Sequence, residues 1–154
     1  MRKLFFIFLL FISVQVNAQD TTFYDFAARL EAGETGSLFH DWGSEKVTYL
    51  GMMKWLSPTK KELEIKIVTS YQKITQANGF NDRSLIAILT NEHKLVKIYD
   101  MVKRQNLPLK IEENKLYYEP SSEKQLLSEL PKRFGERFCV SGLTCFDEYT
   151  ETIE

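Results

Sequence analysis

The order of apolar and polar residues changes character along the chain, and each change predicts a different element. Residues 1–18, MRKLFFIFLLFISVQVNA, open with Arg2 and Lys3 and run without a polar residue from Leu4 to Ile12. Val16-Asn17-Ala18 then supplies small or permitted residues where a signal peptidase cuts, so the segment reads as a bacterial secretory leader cleaved before Gln19. The apolar run is well short of the about 20 residues a membrane-crossing helix needs. An uncleaved N-terminal anchor is the alternative, but the expectation is no stable membrane insertion after cleavage. No cysteine follows the run to accept a lipid.

Past the leader the spacing becomes helical. In TTFYDFAARLEAGETG, Phe23, Phe26, Ala27 and Leu30 fall on one helical face, Thr21 or Thr22 is placed to cap, and Gly33 to Gly36 ends the run. This predicts an amphipathic helix of about three turns. From Lys46 the period becomes two. KVTYLGMMKW places Val47, Tyr49, Met53 and Trp55 on one face, and Ser57-Pro58-Thr59-Lys60 makes a turn. ELEIKIVTSYQ then alternates Leu63, Ile65, Ile67, Thr69 and Tyr71 against Glu62, Glu64, Lys66, Ser70 and Gln72, with Val68 the one exception. That is the pattern of a half-buried antiparallel strand.

A loop carrying Asn78-Gly79 and Asn81-Asp82 follows. SLIAILT and KLVKIYDM flank Asn91-Glu92-His93, and LPLKI and KLYYE flank Glu112-Glu113-Asn114, which predicts two hairpins. Pro108 confines its strand to an edge or a first residue. SLIAILT is apolar at both parities, so it belongs at the centre of a sheet covered on both sides. EKQLLSELPKRF, capped by Ser121 or Ser122 and striped by Leu126, Leu127 and Leu130, is the expected cover. The predicted architecture is an α+β domain: an antiparallel β-meander of about six strands, packed by an N-terminal and a C-terminal helix.

Composition narrows the classes. Without its leader the chain has 136 residues (154 − 18), the size of a single domain, 19–154. Loss of Arg2 and Lys3 moves the net charge from −1 to −3, which disfavours nucleic acid as a partner. Lys103, Arg104, Lys132, Arg133 and Arg137 are interrupted by acids, and the acidic end FDEYTETIE reads as a solvated tail.

Two cysteines are present, Cys139 and Cys145. A zinc site would have to recruit His40 and His93 from far away in sequence, and a redox pair more often has two intervening residues. If Ser141-Gly142-Leu143 is a three-residue hairpin loop, the two cysteines oppose each other at disulfide distance. Export also delivers the chain to an oxidising compartment. The reading is a structural disulfide, with two free buried thiols as the alternative. No metal or cofactor is expected.

SLFHDWGSE, residues 37–45, holds the densest reactive side chains: His40, Asp41 and Glu45 are candidates for acid–base chemistry, with Ser44 nearby. No G-x-S-x-G elbow accompanies them. The plainer reading is a polar loop entering the first strand, anchored on the core by Phe39 and Trp42. His93 falls at a hairpin tip, the place of a solvated turn residue. Trp42, Trp55 and Tyr118 are candidate binding aromatics, Tyr118 because it and Tyr117 must point to opposite faces of a strand. The expectation is an exported, periplasmic or extracellular, non-enzymatic protein that binds a protein or a small molecule: an inhibitor, an immunity-like protein or a small-ligand carrier. The alternative is a small secreted hydrolase using His40 with Asp41 or Glu45.

Overall fold

A computed structural model describes residues 22–56, 61–118, 127–128, 137–139 and 145–147. The leader 1–18, the turn at 57–60 and most of the acidic tail lie outside these residues. Five strands form one antiparallel sheet in chain order: β1 (Thr35–His40), β2 (Gly43–Leu56), β3 (Glu62–Gln76), β4 (Gly79–Thr90) and β5 (Leu95–Asp100). The β4–β5 hairpin turns where Asn91-Glu92-His93 predicts it, with His93 at a positive φ of 64°. The expected loop around Asn78-Gly79 is shorter than its composition suggests. Gln76 pairs with Gly79 and only Ala77-Asn78 turn, so β3 and β4 project together as a long ribbon.

Ser84 to Leu89 are buried without a break, which places β4 centrally as its double-sided apolar pattern requires. Ile86 and Ile88 join Ile65, Ile67, Met53, Leu50 and Tyr99 in a main core on one face. Leu85, Ala87 and Leu89 join Val47, Val68 and Leu38 in a second core on the other. Burial on both faces extends to β3, where residues 67–70 are all buried, so that strand is not half-exposed as its alternation predicts. Complete burial of each such isoleucine contributes about 2–3 kcal/mol.

The helix-packed α+β architecture is overturned. The protein is mostly β, and its one described α-helix, α1 (Phe23–Ala27), is a single turn. The apolar stripe does dock: Phe23 and Ala27 are buried in the second core and Phe26 and Leu30 pack against it. It stops early because the chain leaves the helix to pair. Arg29 and Leu30 donate to carbonyls three residues back, and Gly33 N–H then donates to Tyr49 O at 2.7 Å. A helix of a few turns is marginal alone, and tertiary pairing outweighs its propensity.

No described residue forms the C-terminal helix. Leu127–Ser128 is a strand, β8, paired with β7 (Lys115–Tyr118), which pairs in turn with β6 (Pro108–Glu112); the rest of that predicted helix lies outside the described residues. A two-leucine run suits a strand as well as a helix, and the open edge of β7 offers it backbone partners. The main core is covered by this small sheet, through Leu116 and Tyr118, by Leu107 just ahead of it, and by Phe146. A single 3₁₀ turn at Arg104–Asn106 leads into β6.

The face predicted for β2 is split by a bulge at Leu50. The register with β3 slips between Tyr49 and Gly51, and Gly51 takes φ +124°. Val47 and Tyr49 therefore serve the second core, whereas Met53 and Trp55 serve the main one. β1 covers the edge of β2 only as far as Thr48. Further along, the Asn114 side chain substitutes for a strand: Lys54 N–H donates to Asn114 Oδ1 at 2.6 Å and Asn114 Nδ2 donates to Lys54 O at 2.9 Å. Asn114 can do this because Glu113 and Asn114 both take positive φ, as a two-residue β6–β7 turn demands.

Cys139 and Cys145 are opposed in the hairpin of β9 (Arg137–Cys139) and β10 (Cys145–Asp147) and joined by a disulfide. The chain-entropy estimate for so short a loop is about 2 kcal/mol. Phe146 inserts into the main core, which ties the hairpin to the body of the protein.

Among the described residues the fully buried Ser84 Oγ finds no hydrogen-bond partner. Ser84→Ala is therefore expected to raise stability by about 1 kcal/mol, read as a higher urea midpoint at unchanged slope.

Candidate functional site

The predicted entry loop is strand and tight turn. TGSLFH forms β1, Asp41-Trp42 is a two-residue turn, and His40 pairs with Gly43. Gly43 sits at φ +148°, and a Cβ there would lie 1.9 Å from Lys73 O, so this turn rests directly on the β3 backbone. Thr75 N–H donates to Trp42 O at 2.7 Å and holds the turn in place.

Strand alternation then sets the side chains. Leu38 opposes Glu45, Glu45 opposes Gln72, and Val47 opposes Ser70, so His40, Glu45, Ser70 and Gln72 share the face of the second core. Glu45 is 3 % exposed. Its Oε1 accepts from Ser70 Oγ and, at 2.9 Å, from Gln72 Nε2, while its Oε2 lies 3.1 Å from His40 Nε2. A carboxylate only accepts, so this network puts the imidazole proton on Nε2. The His40 ring stacks on Trp42 with centroids 4.3 Å apart and planes within 10°. The buried carboxylate thus fixes the imidazole, and the imidazole supports the indole.

The order of contacts constrains the chemistry. Activation of a serine requires the imidazole between hydroxyl and carboxylate. Here the carboxylate stands between Ser70 and His40, so the imidazole is not beside Ser70. Of the three acid–base candidates, His40 and Glu45 meet, while Asp41 is exposed in the turn and among the described residues makes no hydrogen bond or ion pair with them. Ser44 points to the opposite face, paired with Phe39 and Lys73. Among the described residues no group of three or more His, Cys, Asp or Glu is arranged to hold a metal ion. His93 is exposed at its hairpin tip, 2.7 Å from Lys66 Nζ.

The binding aromatics separate. Trp42 is 38 % exposed, Trp55 is half-buried against the main core, and Tyr118 is 1 % exposed within it. Phe39, expected to anchor on the core with Trp42, is instead 77 % exposed, and so is Phe80, which no sequence pattern singles out. Both belong to the end of the main sheet that extends past the two cores. Phe39 lies in the cross-strand row Ser44–Lys73–Asp82, and Phe80 opposes Thr75 beside the Trp42 turn. The sequence does not single out Ser70 and Gln72, whose one signal is two polar residues on the same parity as buried Val68.

On the same projecting end, the half-buried Tyr71 hydroxyl donates to Asp82 Oδ2 at 2.6 Å. That bond, with burial and the Asp82 charge, pushes the phenol pKa up against the opposing pull of Arg104 over the ring. The raised folded-state value means that the stabilisation is fully present below the unfolded pKa of about 10 and is lost as pH rises through the folded value. Tyr71→Phe should flatten that alkaline decline, measured as unfolding free energy between about pH 9 and 12.

No family model, curated protein or solved structure matches this chain. Fold and site together define a mostly-β protein with one doubly covered antiparallel sheet and an exposed aromatic end. Among its described residues no helix is long and apolar enough to cross a membrane.

Proposed function

We propose that the protein is an exported, non-enzymatic binding protein whose contact surface is the projecting end of the main sheet. The observation that carries this reading is the exposure of Phe39, Phe80 and Trp42 at that end of the sheet, Phe39 and Phe80 on one face at 77 % and Trp42 stacked on His40 of the other. Large apolar rings are costly to leave in water and are the side chains that dominate protein and ligand recognition. The Glu45–His40 network supports the reading because it pre-orders Trp42, which lowers the entropy cost of binding through it. The leader-like 1–18 and the Cys139–Cys145 disulfide favour export.

The test is crosslinking in the native source, followed by mass analysis of the adduct. Trp42→Ala and Phe80→Ala should each lower recovery of the adduct at least tenfold, corresponding to about 1.4 kcal/mol or more, with unchanged melting temperature. Leu109→Ala, at a 60 % exposed residue on the small sheet, should leave recovery intact. Equal recovery from all three variants rejects this surface.

The 3.1 Å contact between His40 and Glu45 favours a second reading, a hydrolase in which His40 Nδ1 serves as base and Glu45 orients the ring. Under that reading His40→Ala abolishes a turnover shown by the wild type. Under the binding reading it weakens binding only as far as it loosens Trp42.

A further inference from the structure

The two edges of the main sheet are not alike. At one edge, β5 carries Lys97 and Asp100, meets a register slip at Ile88/Leu89, and has β10 packed against it. These are the features by which sheets block further pairing. At the other edge, β1 reads TGSLFH, with no charge, no proline and no bulge against β2.

The register identifies the groups that β1 leaves open. A two-residue turn closed by His40 and Gly43 makes that pair hydrogen-bonded, so Gly36, Leu38 and His40 direct their backbone groups at β2. The bond from Tyr49 N–H to Glu34 O continues the same alternation. Thr35, Ser37 and Phe39 therefore aim their N–H and C=O groups outward, and no backbone bond among the described residues uses them. Such a row is a template for another strand.

We infer that β1 pairs antiparallel with β1 of a second copy of this chain, about a twofold axis at Ser37. This register alone pairs all the outward groups: Ser37 with Ser37, and Thr35 with the other copy's Phe39 in both directions. The side chains fit it as well. On one face the exposed Phe39 ring lies against the other copy's Thr35, and hydroxyl meets hydroxyl at the axis. On the opposite face Leu38 meets Gly36, and the Glu34 carboxylate stands opposite His40. A twofold axis sets each residue near its own kind, so a charge on the axis would repel itself. β1 has none, which suits a second copy better than a partner chosen by charge.

The chain from Gln19 onward should sediment as a dimer at about 100 μM, because self-pairing of one short edge places dissociation in the micromolar range. Ser37→Lys sets two lysines across the axis and should weaken self-association at least tenfold. Val96→Lys, on the β5 edge, should leave it unchanged. Amide exchange provides the second measurement. In the dimer the Thr35, Ser37 and Phe39 amides are protected, and on dilution they lose protection, while Gly36, Leu38 and His40 keep theirs. A monomer at 100 μM, a Ser37→Lys chain that remains dimeric, or a dimer whose Ser37 and Phe39 amides exchange freely would each overturn the inference.

Discussion

Glu45→Ala lowers the unfolding free energy by about 3 kcal/mol, a fall of ~10 °C in melting temperature for a domain of this size. The carboxylate is 3 % exposed and gathers three donors: the Ser70 hydroxyl, the Gln72 amide and His40 Nε2. Its removal strands the fully buried Ser70 hydroxyl, whereas Gln72 and His40 regain water by rotating outward. The loss is therefore well below the sum of three charge-assisted bonds, each worth about 1.5–3 kcal/mol. Glu45→Gln keeps the volume and one acceptor and should cost about half as much. The chain has two tryptophans, so a Trp55→Phe background leaves Trp42 as sole reporter. Its emission should move to the red when the His40 ring leaves it. A loss below about 1 kcal/mol with unchanged emission would reject the network as the support of that ring.

Gly43→Ala should cost about 3 kcal/mol through a different cause. A methyl at Gly43 would meet Lys73 O at 1.9 Å, and φ +148° is a conformation that alanine avoids. Neither backbone can yield locally, since Ile74 pairs opposite Gly43 and Thr75 N–H is bonded to Trp42 O. The turn must lift from β3, and His40 is carried away from Glu45. The emission change should thus match that of Glu45→Ala. Because both changes release the same ring, the double variant should be less destabilised than the sum of the singles, a coupling measurable by denaturant unfolding.

The sequence was informative wherever periodicity alone decided the outcome. Alternation in ELEIKIVTSYQ, the double-sided SLIAILT, the short polar breaks at 91–93 and 112–114, and the cysteine spacing across a tight loop all correspond to observed elements. It was uninformative where partners far along the chain decide. Leu126-Leu127 suits a helix or a strand, and only the open edge of β7 selects the strand. Leu38 is the sole buried residue of β1, so TGSLFH carries no alternation to recognise. The one-residue slip at Leu50 reassigns Tyr49 and Met53 to different cores without any change in composition. The sequence singles out Glu45 with His40, but Ser70 and Gln72 join it only through the β2–β3 register. Phe39 reads as a core anchor and Phe80 is singled out by no pattern, and the exposure of both follows from where the cores end.

The Asn114 clamp determines how the molecule can come apart. Among the described residues no backbone ladder joins the three-stranded sheet to the main one along β2; the Asn114 amide holds Lys54, and Leu107, Leu116 and Tyr118 hold by packing. The small sheet is thus hinged like a cover on a latch rather than woven into the fabric beneath it. Lifting that cover would break the latch and bare Leu107, Leu116 and Tyr118 and the isoleucines they shield, while the five main strands keep their pairing. An opening of that kind is partial: it exposes apolar surface without unravelling the sheet that bears the aromatic end.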